Sequence, residues 1–160
     1  MLKLALSNRS GIFFMKANVT ALLASGLLLL GAAGVQAAIP DSATLYKSPS
    51  CLCCDGYAEH LESKGIDVEL VDDQDLRQIK MDAGIAYGQG SCHTVMLGDY
   101  AIEGHVPFAA LEKLFEERPD VDGIGLAGMP QGTPGMPGPQ QAPYEIMSFK
   151  DREASPFLTL

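Results

Sequence analysis

The sequence predicts a single α/β domain, a central mixed sheet with flanking helices, behind an N-terminal export segment. Three observations carry this. Short runs with strand character alternate with helical ones, Gly and Pro mark most of the joints, and about 120 residues follow the export segment, enough for one core. No internal repeat is visible.

Residues 1–38 hold Lys3, Arg9 and Lys16, no acidic residue, and the apolar run Ala21 to Leu30. That run is shorter than the roughly 20 residues a membrane-spanning helix needs, and it leads to small residues at Val35-Gln36-Ala37. The pattern predicts a cleaved signal peptide, hence an exported, periplasmic protein with no stable membrane insertion after cleavage. Met15-Lys16 begins the charged-then-apolar pattern more cleanly than Met1, so either methionine is a candidate start. Beyond residue 38 there remain eight Lys and Arg against twenty Asp and Glu, a net charge near −12. Such a surface repels phosphates, so DNA or RNA binding has no electrostatic support. Solvated carboxylates account for the acidity without a cation site.

Ala43-Thr44-Leu45-Tyr46 reads as a strand, and a Ser-Pro-Ser turn then delivers Cys51-Leu52-Cys53-Cys54 to the start of a helix. Tyr57, Ala58 and Leu61 recur at helical spacing, and Gly65 supplies the stop. Ile66 to Val71 alternates as a half-buried strand, and a second helix is predicted over 74–83. Ser91 to Gly104 reads as two short strands around Gly98-Asp99. A third helix is predicted from Pro107 to Glu117, with Ala110, Leu111, Leu114 and Phe115 facing inward. Residues 123–143 read as a Gly/Pro-rich loop, Pro143 to Lys150 as a last strand, and 151–160 as a C-terminal tail, which bounds the domain at 43–150. Strand, helix, strand, helix, hairpin, helix is the thioredoxin-like order. It puts the cysteines at a helix N-terminus, where unpaired N–H groups and the helix dipole favour thiolate.

Cys51 and Cys54 have the C-x-x-C spacing of thiol–disulfide oxidoreductases, but Cys53 lies between them. A third thiol would divert a redox pair into wrong pairings, whereas three thiolates in one turn suit a soft ion, Cu(I) before Zn(II). In the thioredoxin-like order Cys92 opens the strand beside the cysteine loop, at about the place where such oxidoreductases carry a cis-proline, and would add a fourth sulfur. A structural disulfide framework is the third reading, since an exported small domain with an even cysteine count commonly has one. A bond within 51–54 closes too small a loop to restrain the unfolded chain much, so only a link to Cys92 would staple anything. Metal site, redox pair and staple all stand at this point, in that order of preference.

His93 is either a ligand through a local bend or a packed neighbour, because an extended segment turns it away from Cys92. His105, in Gly104-His105-Val106-Pro107, is a helix-entry cap or a donor behind the site. His60 sits about 10 Å along the first helix from Cys53 and reads as surface. Met129 and Met136 lie seven residues apart in the Gly/Pro segment; thioethers bind Cu(I) even where thiolates are oxidised, although from composition alone two incidental methionines in a Gly/Pro loop are the preferred account.

Taken together, Cys51-x-Cys53-Cys54, Ser91-Cys92-His93-Thr94, Gly104-His105-Val106-Pro107 and Gly128-Met129-Pro130 through Pro134-Gly135-Met136 resemble the CopG-like periplasmic copper-resistance proteins, the DUF411 family. The likeness runs from about Ala43 to Phe149. It implies a thioredoxin-like fold that binds several copper ions as a cluster, with Cys51, Cys53, Cys54 and Cys92 as ligands and His93, His105, Met129 and Met136 on matching motifs. It also implies a part in copper redox handling beside other periplasmic resistance proteins, for which a copper-dependent oxidoreductase is one form. Tyr57 departs from the tryptophan expected of the family, a change in packing under the cluster rather than in the ligand set.

Overall fold

The computed structural model describes residues 38–73 and 75–160; the predicted signal segment, apart from residue 38, lies outside them. The described elements run β1 (Ser42–Lys47), α1 (Leu52–Glu62), β2 (Asp67–Asp72), α2 (Arg77–Asp82), β3 (His93–Leu97), β4 (Tyr100–Glu103), α3 (Phe108–Glu117), β5 (Gly123–Gly125), β6 (Glu145–Lys150) and β7 (Glu153–Thr159). They form one mixed sheet in the order β2-β1-β3-β4-β5-β6-β7. β1 pairs in parallel with β2 across the α1 crossover, and β4 with β5 across α3; every other pairing is antiparallel. Among the described residues, no helix is long and apolar enough to cross a membrane.

Alternation along the strands divides the core. Leu45, Val95, Ile102 and Ile124 point to one face, where Ala58 and Leu61 of α1 and Ala110, Leu111 and Leu114 of α3 cover them. These aliphatic side chains are almost wholly buried, and a buried Leu or Ile contributes about 2 kcal/mol each by transfer from water. On the opposite face Ala101 and Phe149 pack with Ile85 and Ala86 from the segment after α2.

Three boundaries differ from the sequence prediction. The second helix is shorter, Arg77–Asp82 rather than 74–83, and none of its residues is buried, so no packed face extends it. The Gly/Pro segment contains β5, a Gly-Ile-Gly strand with no alternation to reveal it; pairing with β4 on one side and β6 on the other makes it a strand. Residues 151–160, read as a tail, supply β7. Pro156 argues against a strand, but at a sheet edge and beside the register shift at Ile146/Met147 its missing N–H costs no ladder bond.

Candidate metal centre

Two chain features put the cysteines together. Cys51 takes the N-cap position of α1 in an extended conformation and its side chain makes no cap hydrogen bond, so the sulfur is free to turn away from the helix. The turn before it is closed by Cys51 N–H donating to Ser48 O at 2.9 Å. Lys47, at the end of β1, lies 3.1 Å from Asp55 in the first helical turn and 3.2 Å from Asp72, which ties strand end and helix start together. Antiparallel pairing of β1 with β3 sets Lys47 opposite His93, so Cys92, one residue before β3, falls beside the 48–51 turn. Ser48 N–H donates to Cys92 O at 3.4 Å.

The four sulfurs converge. Cys51 and Cys54 form a disulfide, while Cys53 and Cys92 are free thiols. Cys92 Sγ lies 3.1 Å from Cys51 Sγ and 3.6 Å from Cys54 Sγ, and Cys53 Sγ is 3.5 Å from Cys51 Sγ. A bond within 51–54, which sequence reasoning set aside as a staple because of its small loop, is therefore the bond formed; proximity at a helix start decides it, not restraint of the unfolded chain. Met129 joins from the segment after β5, its Sδ 3.1 Å from Cys92 Sγ. Met136 is half-buried, its amide donating to Thr133 O at 2.9 Å.

Under the sulfurs lie His93 and His105, both fully buried, their rings 4.9 Å apart and edge to face. His105 Nδ1 is 2.6 Å from Pro134 O, a geometry in which Nδ1–H donates and Nε2 keeps its lone pair. Neither nitrogen of His93, nor Nε2 of His105, has a hydrogen-bond partner. Unpaired buried nitrogens of this kind are costly, and a metal ion or a water satisfies them. Ligand atoms of Cys51, Cys53, Cys54 and Cys92 lie within 4.8 Å of one another, as do those of Cys92, His93 and His105. Cys92 is common to both sets.

Electrostatics favour neutral ligands until a cation arrives. Burial, reinforced by the neighbouring Cys53, pushes the Cys92 thiol up to about 11. Burial, with the adjacent His105 ring, brings His93 down to about 3, and burial also lowers His105. At neutral pH the imidazoles are therefore unprotonated and can donate lone pairs, and a soft ion would displace the thiol proton. The helix-terminus argument from sequence anticipates an acidic thiol; at Cys92, off the helix and partly desolvated, the opposite shift prevails.

Tyr57, read from sequence as helix packing, forms the floor. It is fully buried, its ring 5.0 Å from that of His93 and 5.4 Å from that of His105, and its hydroxyl donates to Val106 O at 2.9 Å. His60, read as surface, is half-buried with its ring 6.5 Å from that of Tyr57. Sequence reasoning also passes over Glu103. A lone carboxylate closing the apolar strand Tyr100-Ala101-Ile102 is the signal that singles it out.

Fold and site define a class: an α/β protein with four cysteine sulfurs, a thioether and two buried imidazoles that keep unpaired nitrogens, gathered where the end of β1 and the start of β3 meet the N-terminus of α1. Residues 89–136 match the family model described as a protein of unknown function, DUF411. Two solved structures, both described as copper resistance protein CopG, forms 2 and 1, share 34% identity with the chain. Each alignment covers 76% of this chain and 98% of the other, with TM-scores of 0.68 and 0.69. The chain belongs to this DUF411, CopG-type family of copper resistance proteins. Among curated proteins, none matches it.

Proposed function

We propose that this protein is a periplasmic copper-binding protein of copper resistance, exported by the signal segment 1–38, which holds Cu(I)/Cu(II) as a multinuclear cluster. The single observation that carries the reading is the pair of overlapping ligand sets that share Cys92. One ion would not use both sets, whereas bridging through a shared thiolate suits two or more. Unpaired nitrogens on His93 and His105 fit the same ions. Met129 adds a neutral soft ligand, and Met136, seven residues further along the same strap, is assigned to shielding or loading. The β1 to α3 stretch is read as thioredoxin-like, with its cysteines at the α1 N-terminus. Other periplasmic copper-resistance proteins are the expected donors or acceptors of the metal.

The disulfide supports a second reading, a thiol–disulfide oxidoreductase using Cys51 and Cys54. The two readings share a chemistry: the bonded pair offers no thiolates, so reduction by two electrons and two protons must precede copper loading on those sulfurs. Metal analysis of the exported protein, reduced under anaerobic conditions and titrated with Cu(I), tests the first. Two or more copper ions per chain, lost in Cys51→Ser and diminished in Cys92→Ser, are expected. Less than one ion per chain in the reduced protein, with disulfide turnover surviving in Cys53→Ser, would transfer the assignment to the oxidoreductase.

A further inference from the structure

Behind the sulfur cluster lies a polar network that metal binding does not use. Glu103, at the end of β4, is fully buried. Its Oε1 accepts from Lys80 Nζ at 2.6 Å, from Ser91 N–H at 2.5 Å and lies 2.9 Å from Ser91 Oγ; its Oε2 accepts from Thr94 Oγ1 at 2.6 Å. Lys80, from α2, also donates to Thr94 Oγ1 at 2.8 Å and to His93 O at 3.3 Å. Ser91 Oγ is 2.9 Å from His93 O. Apart from the Lys80–Glu103 pair itself, every one of these partners lies on the segment that carries Cys92.

A buried carboxylate and ammonium are poor stabilisers as such. Desolvation offsets their attraction, and apolar replacements of similar volume are often no worse. What the pair supplies here is geometry. Ser91 and Thr94 flank Cys92 and His93, and β3 begins only at His93, so the β1–β3 ladder does not hold Ser91. The carboxylate does, through both its backbone and its side chain. Charge-assisted bonds of this kind are about twice as strong as neutral ones and fix direction as well as distance.

We propose that Glu103 and Lys80 are positioning residues that anchor the Ser91-to-Thr94 segment, so that Cys92 presents its sulfur to Cys51, Cys54 and Met129. Neither residue touches the sulfurs; both act through Ser91, His93 and Thr94. The inference rests on the proposed copper site only for its metal readout. The anchoring itself is testable without metal.

The experiment compares the alkylation rates of the two free thiols, Cys92 and Cys53, in the full-length protein with its disulfide intact, by peptide mass spectrometry. Cys53 is on α1, outside the network, and serves as the control within each molecule for general loosening. Lys80→Met combined with Glu103→Leu removes both charges without leaving one buried and unpaired. The expected result is a Cys92 rate about tenfold higher relative to Cys53, the consequence of losing one charge-assisted hydrogen bond or more. Should the double variant not fold, Thr94→Val, which deletes the hydroxyl bonded to Glu103 Oε2 and Lys80 Nζ and leaves the Ser91 bonds in place, is expected to raise the ratio about threefold. An unchanged ratio in the double variant, or in Thr94→Val where the double variant does not fold, overturns the proposal. In a second arm, the reduced double variant should bind Cu(I) about tenfold more weakly than reduced wild type. A wild type that takes up no copper would refute the copper reading and leave the alkylation ratio to decide the anchoring.

Discussion

Replacement of Gly135 by alanine should detach the methionine-bearing strap from the helix that carries the cysteines. Gly135 has φ +79°, a left-handed conformation, and a methyl group there would lie 2.7 Å from both Cys53 O and Tyr57 N. Both atoms belong to the α1 backbone and cannot rotate aside. Gly56 on the helix faces it, so that a methyl on that side in turn would lie 3.2 Å from Gly135 Cα. Ordinary contact begins near 3.4 Å, and the strap would have to retreat by about 0.7 Å. Left-handed strain costs about 1 kcal/mol and the overlap about 1–3 more, for a total of about 2–4 kcal/mol. Gly128 provides the control, since it has φ +82° with nothing within 4 Å of the added methyl, so its alanine variant should lose only about 1 kcal/mol. Urea unfolding of the two variants measures the difference. Because Pro134 O receives the His105 Nδ1–H bond, the same retreat should weaken Cu(I) affinity in Gly135→Ala and leave it unchanged in Gly128→Ala. Unfolding free energies of the two variants within about 0.5 kcal/mol of each other would refute the steric argument.

Tyr57→Phe should cost about 1–2 kcal/mol in urea unfolding, because it removes a buried donor and leaves Val106 O unpaired, while thermal unfolding of Tyr57→Ala should show a loss of about 3–5 kcal/mol from the cavity. Buried neutral His93 and His105 set a pH dependence. In the unfolded chain each binds a proton below about pH 6.5, whereas in the folded metal-free protein His93 resists protonation down to about 3. The folded state therefore loses stability as pH falls from about 6.5 towards 3, at up to about 1.4 kcal/mol per pH unit for His93. Denaturation between pH 6 and 4.5 should show a slope shallower by about 1 kcal/mol per unit in His93→Gln; parallel slopes would contradict the burial argument. Oxidised protein, with Cys51 bonded to Cys54, should bind Cu(I) with lower stoichiometry than reduced protein, and a chelator that strips copper from the reduced form should leave all four thiols titratable.

Much of this molecule is legible in its sequence because the signals are local. The apolar–polar pattern of Ile66 to Val71, which marks a strand although Leu70 stays exposed, the helical stripe of Ala110, Leu111, Leu114 and Phe115, and the Gly98-Asp99 turn each depend on residues a few positions apart. β5 and β7 escape notice because their strand character comes from neighbours: Gly-Ile-Gly has little preference for a strand, and Pro156 argues against one. His93 could be left only as an alternative, since an extended segment turns it away from Cys92 whereas the fold buries it against His105.

Three cysteines within four positions, a fourth forty-one residues from the first, and a Met/Gly/Pro strap are set by the chain alone, and with them the soft-metal chemistry. The approach of Cys92 to the Cys51–Cys54 pair, the placing of Met129 rather than another thioether 3.1 Å from Cys92, and the anchoring of that cysteine by Glu103 were decided by tertiary structure. Ligand type is a property of each residue, which sequence carries directly. Distance and direction between residues 12 to 41 positions apart depend on strand register and on which faces pack, and these are fixed only when the whole sheet closes its core.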